Sequence, residues 1–84
     1  MKLDINETMK EIMGYKEQLG EFSLDLYYND VEAHRGTPFT AKLHSVVNKK
    51  FQHYEREDSF DIALAKTDLF LKDIIRQGKR ISDL

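Results

Sequence analysis

The sequence predicts an all-α protein, an antiparallel bundle of three or four helices. One observation is a column of apolar residues spaced by seven along residues 5–33, with a second apolar column beside it. The other is the scarcity of turn residues, because the 84 residues include four Gly and one Pro. Long helices need few turns, whereas a fold of many short strands needs several. We therefore predict helices over residues 5–33, 38–55 and 59–77.

The first predicted helix depends on an apolar column formed by Ile5, Ile12, Leu19, Leu26 and Ala33. Seven-residue spacing places these side chains on one helix face and is typical of a coiled coil. A helix over residues 5–33 would be roughly 44 Å long, whereas a globule of this size is roughly 30 Å across. Either the helix breaks near Gly20, or its excess length pairs with a second copy. We favour the pairing and expect a homodimer.

Residues 21–28 also fit a β-strand. Phe22, Leu24, Leu26 and Tyr28 alternate with more polar side chains, and strands favour such aromatic-rich alternation. A strand needs a partner, however, and the other strand-like segments that we identify, residues 1–5 and 81–84, are short. We favour a helix here and keep the strand as the alternative.

The segment from Arg35 to Pro38 is expected to separate the first two helices. Gly36 suits the position after a helix end, Thr37 suits an N-cap, and Pro38 suits the first helical residue. Apolar side chains then recur at helical spacing at Phe39, Leu43, Val46, Val47, Phe51 and Tyr54. Asp58 or Ser59 caps the third helix. We expect residues 1–84 to form a single helical domain, with residues 79–84 as a loose C-terminal tail.

The composition and the pattern of apolar residues indicate the cellular compartment of the protein. The chain has no Cys, which excludes a disulfide framework. Its beginning lacks the basic-then-apolar pattern of a signal peptide, and no apolar run approaches the roughly twenty residues that span a bilayer. We expect a cytoplasmic protein with no membrane partner. The net charge of −2 is uneven, because residues 1–33 carry three bases against eight acids and residues 34–56 carry five bases against one acid.

No motif for catalysis, metal binding or cofactor binding is present. His34, His44 and His53 lack the i,i+4 spacing of a helical metal pair. None of the serines lies in a Gly-x-Ser-x-Gly sequence, which excludes a nucleophile elbow. We therefore expect no enzyme, no metal site and no cofactor.

The favoured function is a small non-enzymatic protein-interaction module, such as an adaptor, inhibitor or immunity-type protein of a bacterium or phage. It would act through helix-face recognition, and its partner would be another protein. The candidate interface combines the apolar columns with one tyrosine of the ambiguous segment. Its residues are Ile5, Ile12, Leu19, Phe22, Leu26 and Tyr27.

The alternative function is a nucleic-acid-binding accessory protein. On a helix over 38–55, Lys42 and Lys49 would form a basic stripe with Arg56 that could follow a phosphate backbone. The candidate residues are Arg35, Lys42, Lys49, Lys50, His53 and Arg56. The sequence pI of about 5.9 argues against strong nonspecific binding of nucleic acid.

Overall fold

The computed structural model describes residues 4–84 and has an α+β fold, in which helices pack on a three-stranded antiparallel sheet. The prediction of an all-α bundle is therefore wrong. In chain order the elements are α1 (Ile5–Gly14), α2 (Lys16–Leu19), β1 (Ser23–Tyr28), α3 (Asp30–Ala33), β2 (Phe39–His44), β3 (Gln52–Glu57), α4 (Phe60–Arg76) and a 3-10 helix (Ile81–Asp83).

The first predicted helix, 5–33, ends at Gly20. The Asp4 carboxylate caps α1 by accepting hydrogen bonds from the backbone N–H of Asn6 at 3.0 Å and of Glu7 at 3.3 Å. After α2, Gly20 has a φ of +91°, which side-chain-bearing residues rarely adopt. The chain then enters β1, so the strand alternative for residues 21–28 is the correct one. The excess helix length that favoured a dimer does not exist.

The sheet is a meander in the order β1-β2-β3, with β2 in the centre. Ala41 of β2 lies between Leu26 of β1 and Glu55 of β3, and this register fixes the two faces of the sheet. On one face, Phe39 contacts Phe60 of α4 with ring centroids 4.9 Å apart. Because side chains alternate along a strand, Phe39, Ala41 and Leu43 all lie on the face that α4 covers.

The second predicted helix, 38–55, is wrong, because this segment forms β2, a loop and β3. Leu43 and Val47 lie one turn apart on the predicted helix and would both be core residues. In the structure Leu43 is 0% exposed in β2, whereas Val47 is 65% exposed in the loop. The apolar residues of β2 also alternate along the strand. The helical spacing over 38–55 arose by coincidence, because it combined residues of the strands with residues of the loop between them.

The third predicted helix, 59–77, agrees with α4. The Ser59 hydroxyl caps it by accepting a hydrogen bond from the backbone N–H of Ile62 at 3.3 Å. Leu64, Leu71 and Ile74 of α4 are buried in the core. The other buried apolar side chains of this core are Ile12, Leu19, Phe22, Leu43, Phe51 and Ile81.

The chain's last residues do not form the loose tail that we predicted for 79–84. Ile81 is buried in the core, and Asn48 in the β2–β3 loop donates from Nδ2 to the carbonyls of Ile81 at 3.1 Å and Leu84 at 2.6 Å. In the same loop, the Ser45 hydroxyl donates to the Glu21 carbonyl at 3.1 Å. The same hydroxyl also accepts hydrogen bonds from the backbone N–H groups of Val47 and Asn48. The loop is thus anchored to two distant parts of the chain.

Candidate functional site

The sheet face opposite α4 is the candidate site, and we call it the open face. It carries the side chains that alternate with those packed on the helices. These are Ser23, Asp25 and Tyr27 of β1, Thr40, Lys42 and His44 of β2, and Gln52, Tyr54 and Arg56 of β3. Within residues 4–84, the side-chain hydrogen bonds, ion pairs and cation–π contacts of this face stay within the sheet. The face is therefore available to a partner.

Tyr54 lies at the middle of β3 and is held by two cations. The Arg56 guanidinium lies over its ring at 4.7 Å from the centroid, and the Lys42 ammonium lies at 5.6 Å. Cation–π contacts of this kind are worth about 0.5–1 kcal/mol at exposed sites. They hold the two bases beside an aromatic ring, where the ring and both charges can meet the same ligand.

The other end of the open face carries a contact between a histidine and a carboxylate. His44 Nε2 lies 3.0 Å from Asp25 Oδ2 across the β1–β2 pair. Tyr27, two residues beyond Asp25, is 37% exposed. The open face therefore combines one acid, two bases, a histidine and two tyrosines in a small area, with no dominant sign of charge.

Thr40 lies at the centre of the open face, between Tyr27 on β1 and Arg56 on β3. Its Oγ1 is buried and has no hydrogen-bond partner among the described residues. A buried hydroxyl without a partner costs about 1–3 kcal/mol of stability. The stability of the isolated chain therefore does not explain why this position carries a hydroxyl group.

The six residues of the predicted helix-face interface are not gathered on a free surface. Ile12, Leu19 and Phe22 are buried in the chain's own core. Ile5 and Leu26 are half-buried and pack against that core. Tyr27 alone of the six lies on the open face. The apolar columns are thus largely used in folding, which leaves recognition to other side chains.

The predicted basic residues divide between several locations. Lys42 and Arg56 meet on the open face, where both contact the Tyr54 ring. Lys49 and Lys50 are exposed in the β2–β3 loop, and Arg35 is exposed in the turn after α3, 3.6 Å from Glu32. His53, the remaining member of that set, lies on the opposite, covered face of the sheet.

His53 stacks on Phe70 of α4 with ring centroids 3.6 Å apart and nearly parallel planes. Its Nε2 also contacts the Glu55 carboxylate, two residues along the same face of β3. His53 therefore helps to join the sheet to α4 and is separated from Lys42 and Arg56 by the sheet itself.

Tyr15, which directly follows α1, is a titratable residue that joins α1 to α4. Tyr15 donates from its hydroxyl to Asp68 Oδ1 at 2.6 Å and to Glu11 Oε1 at 3.0 Å. Lys72 Nζ lies 2.9 Å from Asp68 Oδ2 and 3.2 Å from Glu11 Oε1. Burial, together with the hydrogen bonds to the two carboxylates, raises the pKa of Tyr15 above its usual range. This network holds the N-terminal helices on α4.

The raised pKa of Tyr15 predicts a loss of stability at alkaline pH. The unfolded chain loses the phenol proton near pH 10, whereas the folded chain keeps it to higher pH, so the free energy of unfolding falls above about pH 10. The pKa of Lys72 is raised mainly by its hydrogen bond to Asp68, and this acts in the same direction. Tyr15→Phe should flatten the decline in urea midpoint between pH 9 and 11. Tyr27→Phe is the matched control, and an equal effect of both variants would contradict this assignment.

A metal cluster and a membrane-spanning helix are both absent from the described residues. No group of three or more His, Asp or Glu side chains in residues 4–84 is arranged to hold a metal ion. None of the helices in this part of the chain combines the length and apolar character required to cross a membrane.

Comparisons of the chain with family models, with curated proteins and with solved structures gave no match. The geometry of the open face is therefore the basis for the proposed function.

Sequence reasoning missed Asp25, His44, Gln52 and Tyr54 as members of one site. The signal was an alternation with a period of two, present in β1 and β2 but assessed in β1 alone. Because the pairing of β1 with β2 joins residues 11 to 21 positions apart, neither strand indicates by itself which side chains become neighbours.

Proposed function

We propose that this chain is a small binding protein that recognises another protein through the open face of its sheet. The observation that supports the proposal most is the half-buried Tyr54 ring with Lys42 and Arg56 held against it on the open face. Tyrosine and arginine are enriched at protein interfaces, where they combine apolar area with directed hydrogen bonds. This proposal keeps a protein as the partner and moves the recognition surface from a helix face to the sheet.

The mixed charge of the open face favours a protein surface as the ligand. A phosphate backbone requires several cations in succession, whereas here Asp25 lies among the bases and pairs with His44. The whole chain is also acidic, with a net charge of −2. Polar and charged side chains around two tyrosines are the usual composition of a non-obligate protein interface.

Affinity capture from the native host, with four forms of the chain as immobilised bait, tests this proposal. The open-face variant is Tyr27→Ser with Arg56→Glu, and the matched control is Leu69→Ser with Arg76→Glu on the exposed side of α4. We expect wild type and control to retain the same protein, and the open-face variant to lose at least nine-tenths of it. Lys42→Glu, the fourth form, should weaken retention to a similar degree. Retention by the open-face variant at the wild-type level would contradict the proposal.

A single-stranded nucleic acid is the second candidate ligand. The contact that favours it is the same pair of cations beside Tyr54, because single-strand-binding sheets stack bases on aromatic rings and hold phosphates with nearby bases. Fluorescence anisotropy with labelled dT20 and rU20 at low salt separates the two candidates. Micromolar binding that weakens with salt and is lost in Arg56→Glu would establish the second candidate. No binding of either oligonucleotide would exclude it.

A further inference from the structure

The outer edge of β1 has backbone groups that no described part of the chain uses. The backbone N–H of Asn29 donates to the Pro38 carbonyl at 2.7 Å, which continues the β1–β2 register by one residue pair. Antiparallel hydrogen bonds alternate along a strand, so Asp25 and Tyr27 also bond toward β2. Leu24, Leu26 and Tyr28 therefore direct their N–H and C=O groups away from the sheet. Within residues 4–84, none of these three forms a backbone hydrogen bond to a helix or a loop.

The two edges of the sheet differ in how they discourage a further strand. Edge strands are usually protected by charged side chains, by proline or by inward-pointing charges. The β3 edge has Arg56 on the open face and Glu55 and Glu57 on the covered face. The residues that direct their backbone outward from β1 are apolar, and the Tyr28 side chain among them is 54% exposed. β1 has one charged side chain, Asp25, against three on β3, so the β1 edge has less of this protection.

We propose that a second copy of this chain pairs with the β1 edge, so that two sheets join into one of six strands. The two β1 strands run antiparallel about a two-fold axis at Leu26. Leu24 of each copy then lies opposite Tyr28 of the other, and Leu26 lies opposite Leu26. Each of these pairs exchanges both of its backbone hydrogen bonds.

A second copy of the chain is the proposed partner because the β1 edge is complementary to itself. A two-fold axis at Leu26 is the one centre that pairs all three outward-directed residues with one another. It also places Asp25 opposite Tyr27 of the other copy on the open face, which avoids two facing carboxylates. An axis at Asp25 would place the two acids opposite each other, and it would pair Tyr28 with Phe22, which lies outside β1. Closed two-fold pairing is the commonest form of self-association.

Sedimentation equilibrium of the wild-type chain tests whether the dimer forms. We expect a mass of twice 9.9 kDa in the high micromolar range. Tyr28→Pro should raise the dimer dissociation constant at least tenfold, because proline removes an outward-directed N–H and its ring obstructs the incoming strand. Gln52→Pro is the matched control, because its N–H faces outward from the β3 edge by the same alternation and proline there should leave the dimer unchanged. A monomeric wild type at this concentration, or an equal effect of both prolines, would overturn the proposal.

Oxidative cross-linking tests the register, since the chain contains no natural Cys. At a hydrogen-bonded antiparallel pair the Cα atoms are about 5.5 Å apart, which a disulfide can bridge. Leu26→Cys should therefore form a covalent dimer under mild oxidation. In this register the two Leu24 positions are four residues apart along the strands, roughly 14 Å, so Leu24→Cys should remain monomeric under the same conditions. Equal cross-linking of both variants, or none with Leu26→Cys, would overturn the proposed pairing.

Discussion

Replacing Leu43 by alanine is expected to lower the free energy of unfolding by about 3 kcal/mol, within the 2–5 kcal/mol usual for such core truncations. Leu43 is fully buried in β2, the middle strand, where its side chain is part of the core. Alanine would remove apolar contacts and leave a cavity that strands on both sides prevent from collapsing. Urea denaturation followed by circular dichroism measures the loss, as a lower midpoint at an unchanged slope.

Val47→Ala is the matched control for this experiment and also tests the fold. On the helix that the sequence predicted over 38–55, residues 43 and 47 share one face, so both truncations would cost core packing. In the structure Val47 is exposed in the loop after β2, and its truncation should change stability by no more than about 0.5 kcal/mol. Comparable losses from the two substitutions would contradict the strand assignment of β2.

Replacing Asp68 by alanine is expected to lower the free energy of unfolding by about 2 kcal/mol. Asp68 is 8% exposed, and its carboxylate accepts from the Tyr15 hydroxyl while pairing with Lys72. Hydrogen bonds to charged groups contribute about 1.5–3 kcal/mol, and the exposure of Lys72 limits what the ion pair adds. The variant should show a lower urea midpoint at neutral pH.

Asp73→Ala is the control, because this exposed acid of α4 pairs with Arg76 at 3.8 Å, a surface pair worth at most a few tenths of a kcal/mol. A double-mutant cycle between Asp68→Ala and Tyr15→Phe should give a coupling of about 1 kcal/mol. Strict additivity of the two substitutions would show that the hydroxyl and the carboxylate do not stabilise the fold together.

The sequence predicted the helical parts of the fold better than the sheet. The pattern from Phe60 to Ile75 predicted α4 within one or two residues at each end, because amphipathic spacing and the Ser59 cap are both local. The break near Gly20 was also predicted as an alternative, and in the structure this glycine has a positive φ. These features depend on residues that are near one another in the chain.

The strand β3 was missed because its side chains do not show the usual contrast between faces. On β3 the covered face carries His53, Glu55 and Glu57, so the strand appears polar throughout. These residues are compatible with burial because α4 supplies Phe70 to stack on His53 and Lys66 to pair with Glu57. Such partners lie up to seventeen residues away, beyond what a local pattern can indicate.

The candidate site could be predicted only in part for the same reason. Lys42 and Arg56 were identified from their charge and from a helical spacing that the structure does not have. Tyr27 was identified as an interface candidate, and it is 37% exposed on the open face. The contact of both cations with Tyr54 depends on the β2–β3 register, which no single strand encodes.

The anchoring of the β2–β3 loop has a consequence for how the molecule opens. Ser45 and Asn48 bond this loop to the Glu21 carbonyl and to the carbonyls of Ile81 and Leu84. Regions of a protein that share such bonds unfold together, whereas a loop held by its own residues can open alone. The loop therefore belongs to the same cooperative unit as the C-terminal residues. Proteolytic cleavage between Val46 and Lys50 requires the release of Ile81 from the core.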